Sequence, residues 1–93
     1  MSLGRDKRGS TAEPDEPRTL AEAHGVLAGV RPARTAPLTE WLAYHQRAAA
    51  VYAEVAEIDR GHHHEALFMT EQERQCIREV KAQISAQRSV GEE

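Results

Sequence analysis

The residues able to do chemistry gather in one short segment, Ile58-Asp59-Arg60-Gly61-His62-His63-His64-Glu65. On a helical projection Asp59 falls at the centre of an apolar face, and His62 and His63 return to that face one turn later. An aspartate in an apolar stripe needs a partner. Imidazoles at i+3 and i+4 are in reach of it. Asp59, His62 and His63 would supply the oxygen and nitrogen ligands that suit zinc or iron. One chain provides two or three of them, so a second chain would complete the site, as in helix-bundle metalloproteins. The plainer reading needs no cofactor: a satisfied polar layer that fixes register or oligomeric state. A third makes the histidines a pH-responsive interface.

Enzyme signatures are missing from the segment and from the rest of the chain. His64-Glu65-Ala66-Leu67-Phe68 fails the zincin pattern because Phe68 stands where a second histidine is required. Three successive histidines on a helix point in three directions and cannot all hold one ion. There is no Glu-x-x-His pair for a di-iron carboxylate bundle, no glycine-rich phosphate loop and no Gly-x-Ser-x-Gly. Cys76, with Met69 and Val80 on the same side, reads as a core residue rather than a nucleophile. The sequence therefore points to a non-enzymatic protein.

Composition narrows the setting. Ninety-three residues allow one domain, and a net charge of −3 with no basic block argues against direct nucleic-acid binding. The longest apolar run, Ala48 to Ala53, is too short for a membrane span. A single cysteine makes no internal disulfide and requires no oxidising compartment. A cytoplasmic location follows as the expectation.

Three kinds of segment must position the cluster. Residues 1–18 hold one large apolar side chain, Leu3, among Gly, Ser, Pro and charge, and read as a disordered tail. Thr19-Leu20-Ala21-Glu22 has the form of a capping box, and Leu20, Ala23, Leu27 and Val30 follow at helical spacing. A short helix is predicted over 20–30, ended by Pro32. Residues 31–38 form a linker stiffened by two prolines, and Thr39 is the N-cap candidate of the next helix.

From 40 to 88 there is no proline and one glycine, Gly61, in a composition rich in good helix formers. The apolar face keeps its phase across Gly61, which favours one long amphipathic helix over 40–88. Two break points stay open: Gly61 as a C′ residue, and Thr70-Glu71-Gln72-Glu73 as a second capping box. Residues 89–93 are expected to fray. The fold class is all-α, a helical bundle or a coiled-coil-like assembly.

A continuous helix of that length could not be covered by the short one. Its apolar face, with Trp41, Tyr52, Val55, Ala66, Ile77, Val80 and Ile84, would meet another chain, giving a homodimer or a pairing with a partner helix. The function expected is a small interaction or regulatory module that self-associates. The alternative is a metal-binding helical assembly at Asp59, His62 and His63. DNA contact would come only through a partner.

Trp41-x-x-x-His45, Tyr52-x-x-Val55-Ala56-x-x-Asp59 and His62-His63-His64-Glu65-Ala66-Leu67 together resemble a group of short actinobacterial proteins with no assigned activity. The preceding helix and Arg31-Pro32 fit the same group, so the resemblance covers about residues 19 to 80. It implies a source and a cytoplasmic setting, and it transfers no catalytic residue.

Overall fold

The computed structural model describes residues 16–92. It is all-α: helix α1 over Leu20–Gly29, helix α2 over Leu38–Ile58, a single 3₁₀ turn over Arg60–His62, and helix α3 over His63–Glu92. The tail expected over 1–18 lies largely outside the described residues, of which 16–18 are irregular chain leading into α1.

α1 starts where its capping sequence places it. Thr19 Oγ1 accepts the Glu22 N–H at 3.1 Å. The Glu22 carboxylate reaches back one residue further than in a standard capping box and accepts the Arg18 N–H at 2.8 Å. Leu20, Ala23 and Leu27 form the buried stripe of this helix. It ends at Gly29, with Val30 as its C-cap. α2 begins at Leu38 with Pro37 as N-cap and no side-chain cap, so Thr39 lies in its first turn rather than before it. The Pro37 carbonyl accepts the Glu40 and Trp41 N–H groups at 3.0 and 3.2 Å, which makes the proline itself the start signal.

The long helix expected over 40–88 is two helices. The chain leaves the helical path at Asp59 (φ −93°, ψ 76°) and turns back through the 3₁₀ turn into α3. Ala56 meets His63 and His45 meets Glu73, so α2 and α3 form an antiparallel hairpin. Preserved phase did not distinguish the two arrangements. Two helices that face each other each need one apolar stripe, as one long helix does.

The break spans Asp59 to His62 and so falls near Gly61, the first of the two expected positions, although Gly61 does not make it as a C′ residue. Gly61 has an ordinary backbone conformation, and an added Cβ there would meet only Asp59 Oδ1 at 4.0 Å, so it is not a left-handed C′ residue. Thr70 is 2% exposed in mid-helix, and its hydroxyl donates to the Ala66 carbonyl at 2.9 Å instead of capping a new start. α3 continues to Glu92, so residues 89–92 are helical rather than frayed; Glu93 lies outside the described residues. Nothing before Gly91 would stop a helix there.

Folding back changes the fate of the apolar face. Leu20, Ala23, Leu27, Ala48, Tyr52, Val55, Ala56 and Ala66 form the core, with Tyr44, Val51 and Met69 packed against it. Half of those buried residues are alanine, so the core has little volume and depends on close approach of the helix axes. α1 lies along α2 in the opposite direction, with Leu20 at Asp59 and His24 at Tyr52. Tyr52, Val55 and Ala66, expected on an intermolecular face, are buried within the chain itself. Their burial follows from the hairpin, which gives one half of the stripe to the other. Trp41 packs beside the linker instead, with Nε1 donating to the Ala33 carbonyl at 3.1 Å and the Arg31 guanidinium 5.4 Å from its ring. Ile77, Val80 and Ile84 are half-buried.

Leu27 is the more deeply buried of the two α1 core leucines, 2% exposed against 4% for Leu20. Leu27→Ala is expected to cost about 2–4 kcal/mol. Urea unfolding followed by circular dichroism measures this as a lowered midpoint.

Candidate functional site

The polar segment read from the sequence is the hairpin turn. Asp59 ends α2, with its N–H donating to the Val55 carbonyl at 2.7 Å and its own carbonyl accepting the His62 N–H at 2.9 Å. Its side chain does more. Oδ2 accepts the Leu20 N–H at 2.9 Å, the first amide of α1 and 39 residues away. The same oxygen accepts His62 Nδ1–H at 3.0 Å. Asp59 thus ties the start of α1 to the turn. A carboxylate beside a helix N-terminus also faces the positive end of the helix dipole.

The Leu20 N–H bond holds the Asp59 carboxyl below the usual aspartate range; partial desolvation opposes it, and the His62 bond and charge assist it.

His63 is used differently. Its Nδ1 lies 2.8 Å from the Ala56 carbonyl. A carbonyl only accepts, so Nδ1 carries the proton and caps an otherwise orphaned carbonyl in the last turn of α2. His62 is more exposed, at 56% of its side chain, and is paired with Asp59. His64 is exposed and meets His63 ring to ring with centroids 5.3 Å apart. Arg60 reaches Glu57 at 3.5 Å on the outer surface.

The three residues expected to share a metal are therefore neighbours that do not converge. Asp59 and His62 face α1, whereas His63 turns to the α2 backbone. Among the described residues, the group of His, Cys, Asp or Glu side chains whose ligand atoms do converge is His45, Glu73 and Cys76, all within 4.8 Å of one another.

This second cluster lies on the facing sides of α2 and α3. His45 Nδ1 and Glu73 Oε1 are 2.6 Å apart, with 15% and 14% of their side chains exposed. Trp41 and Tyr44 flank the imidazole, with ring centroids 5.7 and 5.3 Å from it. Burial raises the Cys76 thiol above its usual range, and the carboxylates of Glu73 and Glu79 add to the shift. Burial likewise raises Tyr44 and Tyr52, with Glu73 the next cause for both. Tyr52 is separately bonded through its hydroxyl to His24 Nδ1 at 2.8 Å. Local spacing in the sequence puts no carboxylate within a helical turn of His45. Its partner is 28 residues away, and only the hairpin brings them together.

Over the described residues, fold and site define a small three-helix unit: a hairpin with a short helix strapped across it by a side chain of the turn. No family model matches the chain, and neither a curated protein nor a solved structure is significantly similar to it.

The lowered Asp59 value fixes the sign of its pH effect. Its contribution is present above the ordinary aspartate pKa, about 4, and is lost as pH falls through its lower folded value. The wild-type chain is expected to melt above Asp59→Asn at neutral pH. That gap should close as the pH is lowered well below the ordinary aspartate range. Thermal melts of both proteins across this range measure it, and equal melting temperatures at neutral pH would remove Asp59 as the strap.

Proposed function

We propose that this chain is a non-enzymatic interaction module of the cytoplasm that self-associates through its longest helix. One observation carries the reading. α3 has 30 residues and α2 has 21. The register set by His45 opposite Glu73 brings the start of α2 level with about residue 80 of α3. The rest of α3 then runs on past α2 for about 18 Å.

The face that α3 turns to α2 continues along this extension. Ile77 and Val80 lie opposite the start of α2, and Ile84 follows at the same spacing on the extension, in line with the buried positions Ala66 and Thr70 further back. A second copy laid along this end would cover the stripe that α2 is too short to reach. A two-fold pairing of that kind is the commonest form of oligomer. Support for an intracellular setting comes from the single thiol, Cys76. Among the described residues no helix is long and apolar enough to cross a membrane.

The alternative of a metal assembly at Asp59, His62 and His63 gains no support from the turn, where two of the three serve as helix caps. Light scattering coupled to size exclusion is expected to give twice the chain mass. Ile84→Lys, beyond the hairpin contact, should return it to a monomer with unchanged helicity. A monomeric mass for the wild-type chain at submillimolar concentration would refute the proposal.

A further inference from the structure

The cluster on the inner side of the hairpin has the makings of a metal site. Glu73 and Cys76 are three residues apart on α3, so their side chains leave the same face of that helix. His45 comes to them from α2, its imidazole 2.6 Å from the Glu73 carboxylate. One nitrogen, one oxygen and one sulfur ligand atom lie within 4.8 Å of one another. We propose that His45, Glu73 and Cys76 bind one zinc ion within a single chain, with water as the fourth ligand.

The donor set selects the ion. Zinc accepts imidazole, carboxylate and thiolate in a tetrahedral arrangement, and three protein ligands plus water is a common form of zinc site. Magnesium and calcium prefer oxygen ligands throughout and are poorly served by a thiol and an imidazole. Bonds of about 2.0–2.3 Å set tetrahedral donor atoms about 3.5 Å apart. The His45–Glu73 contact must therefore open by about 1 Å, while the sulfur already lies within 4.8 Å of both partners.

Charge also favours occupancy. A thiolate and a carboxylate together neutralise the two charges of zinc, and the imidazole binds in its neutral form. The loaded centre is then neutral, which suits its half-buried position between helices. The thiol gives up one proton as the zinc–sulfur bond forms, and the imidazole keeps its N–H on the nitrogen that does not ligate. Trp41 and Tyr44 pack against the His45 ring and fix its orientation, as supporting groups do in zinc proteins. The ion would join α2 to α3 at a point well away from the Asp59 turn.

Zinc titration of the tag-free, reduced full chain, followed by calorimetry and elemental analysis, tests the site. One zinc per chain is expected, with a melting temperature that rises on loading and falls with chelator. Cys76→Ser and His45→Gln should each weaken binding by about tenfold or more. His64→Ala, at the exposed histidine of the turn, should keep the wild-type stoichiometry. A measurement on the unmutated chain guards against variants that fail to fold: zinc should slow alkylation of Cys76 by a maleimide. No retained zinc, or no protection of Cys76, overturns the proposal. So does binding that survives Cys76→Ser but is lost in His64→Ala. The site lies inside one chain, so these outcomes are independent of whether the protein is a dimer.

Discussion

One carboxylate oxygen joins the two ends of this fold. Oδ2 of Asp59 takes the first amide of α1 and the imidazole of His62 at once. The first bond crosses 39 residues of chain, and the second closes the turn that reverses it. Without the first, α1 would be held by three buried side chains, one of them alanine, and by the His24–Tyr52 hydrogen bond. A ten-residue helix does not persist on such support, because isolated helices of that length are marginal in water. The strap therefore couples two decisions, where α2 stops and where α1 docks.

The rest of the core follows from that coupling. Four of its eight members are alanine, so burial per residue is small and the fold relies on short interhelix distances. Such packing tolerates few errors of register. Polar contacts set the register instead. His63 on the Ala56 carbonyl fixes α3 at the turn, and His45 on Glu73 fixes it further along α2. Trp41, bonded to the Ala33 carbonyl, holds the linker at the end of α2 remote from the turn. Apolar burial supplies the drive in this protein, and histidine and tryptophan side chains decide the alignment.

The sequence was informative where signals are local. The start of α1 at Thr19, its end near Gly29 and the all-α class follow from capping residues, spacing and composition. Phase was a poorer guide, since it is shared by a long helix and by a hairpin. Glycine marked the place of the break but not its cause. Gly61 lies in the turn, yet the conformation there demands nothing of a glycine. The signal that marks the break is Asp59 itself. A carboxylate at the centre of an apolar face is costly within a continuous helix, and it becomes useful where a helix ends and another begins. The sequence presented this residue as a partner-seeking charge with His62 in reach, and that bond forms; its second partner is a backbone amide that no side-chain pattern reveals.

The same reversal relocates the chemistry. In a continuous helix, Asp59, His62 and His63 form the natural ligand set, because i+3 and i+4 spacing is the only proximity such a helix offers. Once the chain turns at Asp59, that proximity is spent on structure: His62 faces the strap and His63 caps α2. Reversal creates a different proximity, between residues equally far from the turn on opposite helices. His45 meets Glu73 by that rule, and Cys76 follows one turn along. A cluster made this way leaves no trace in local spacing. It becomes legible only after the break point is known, so the site depends on the fold's one decisive residue although it makes no contact with it.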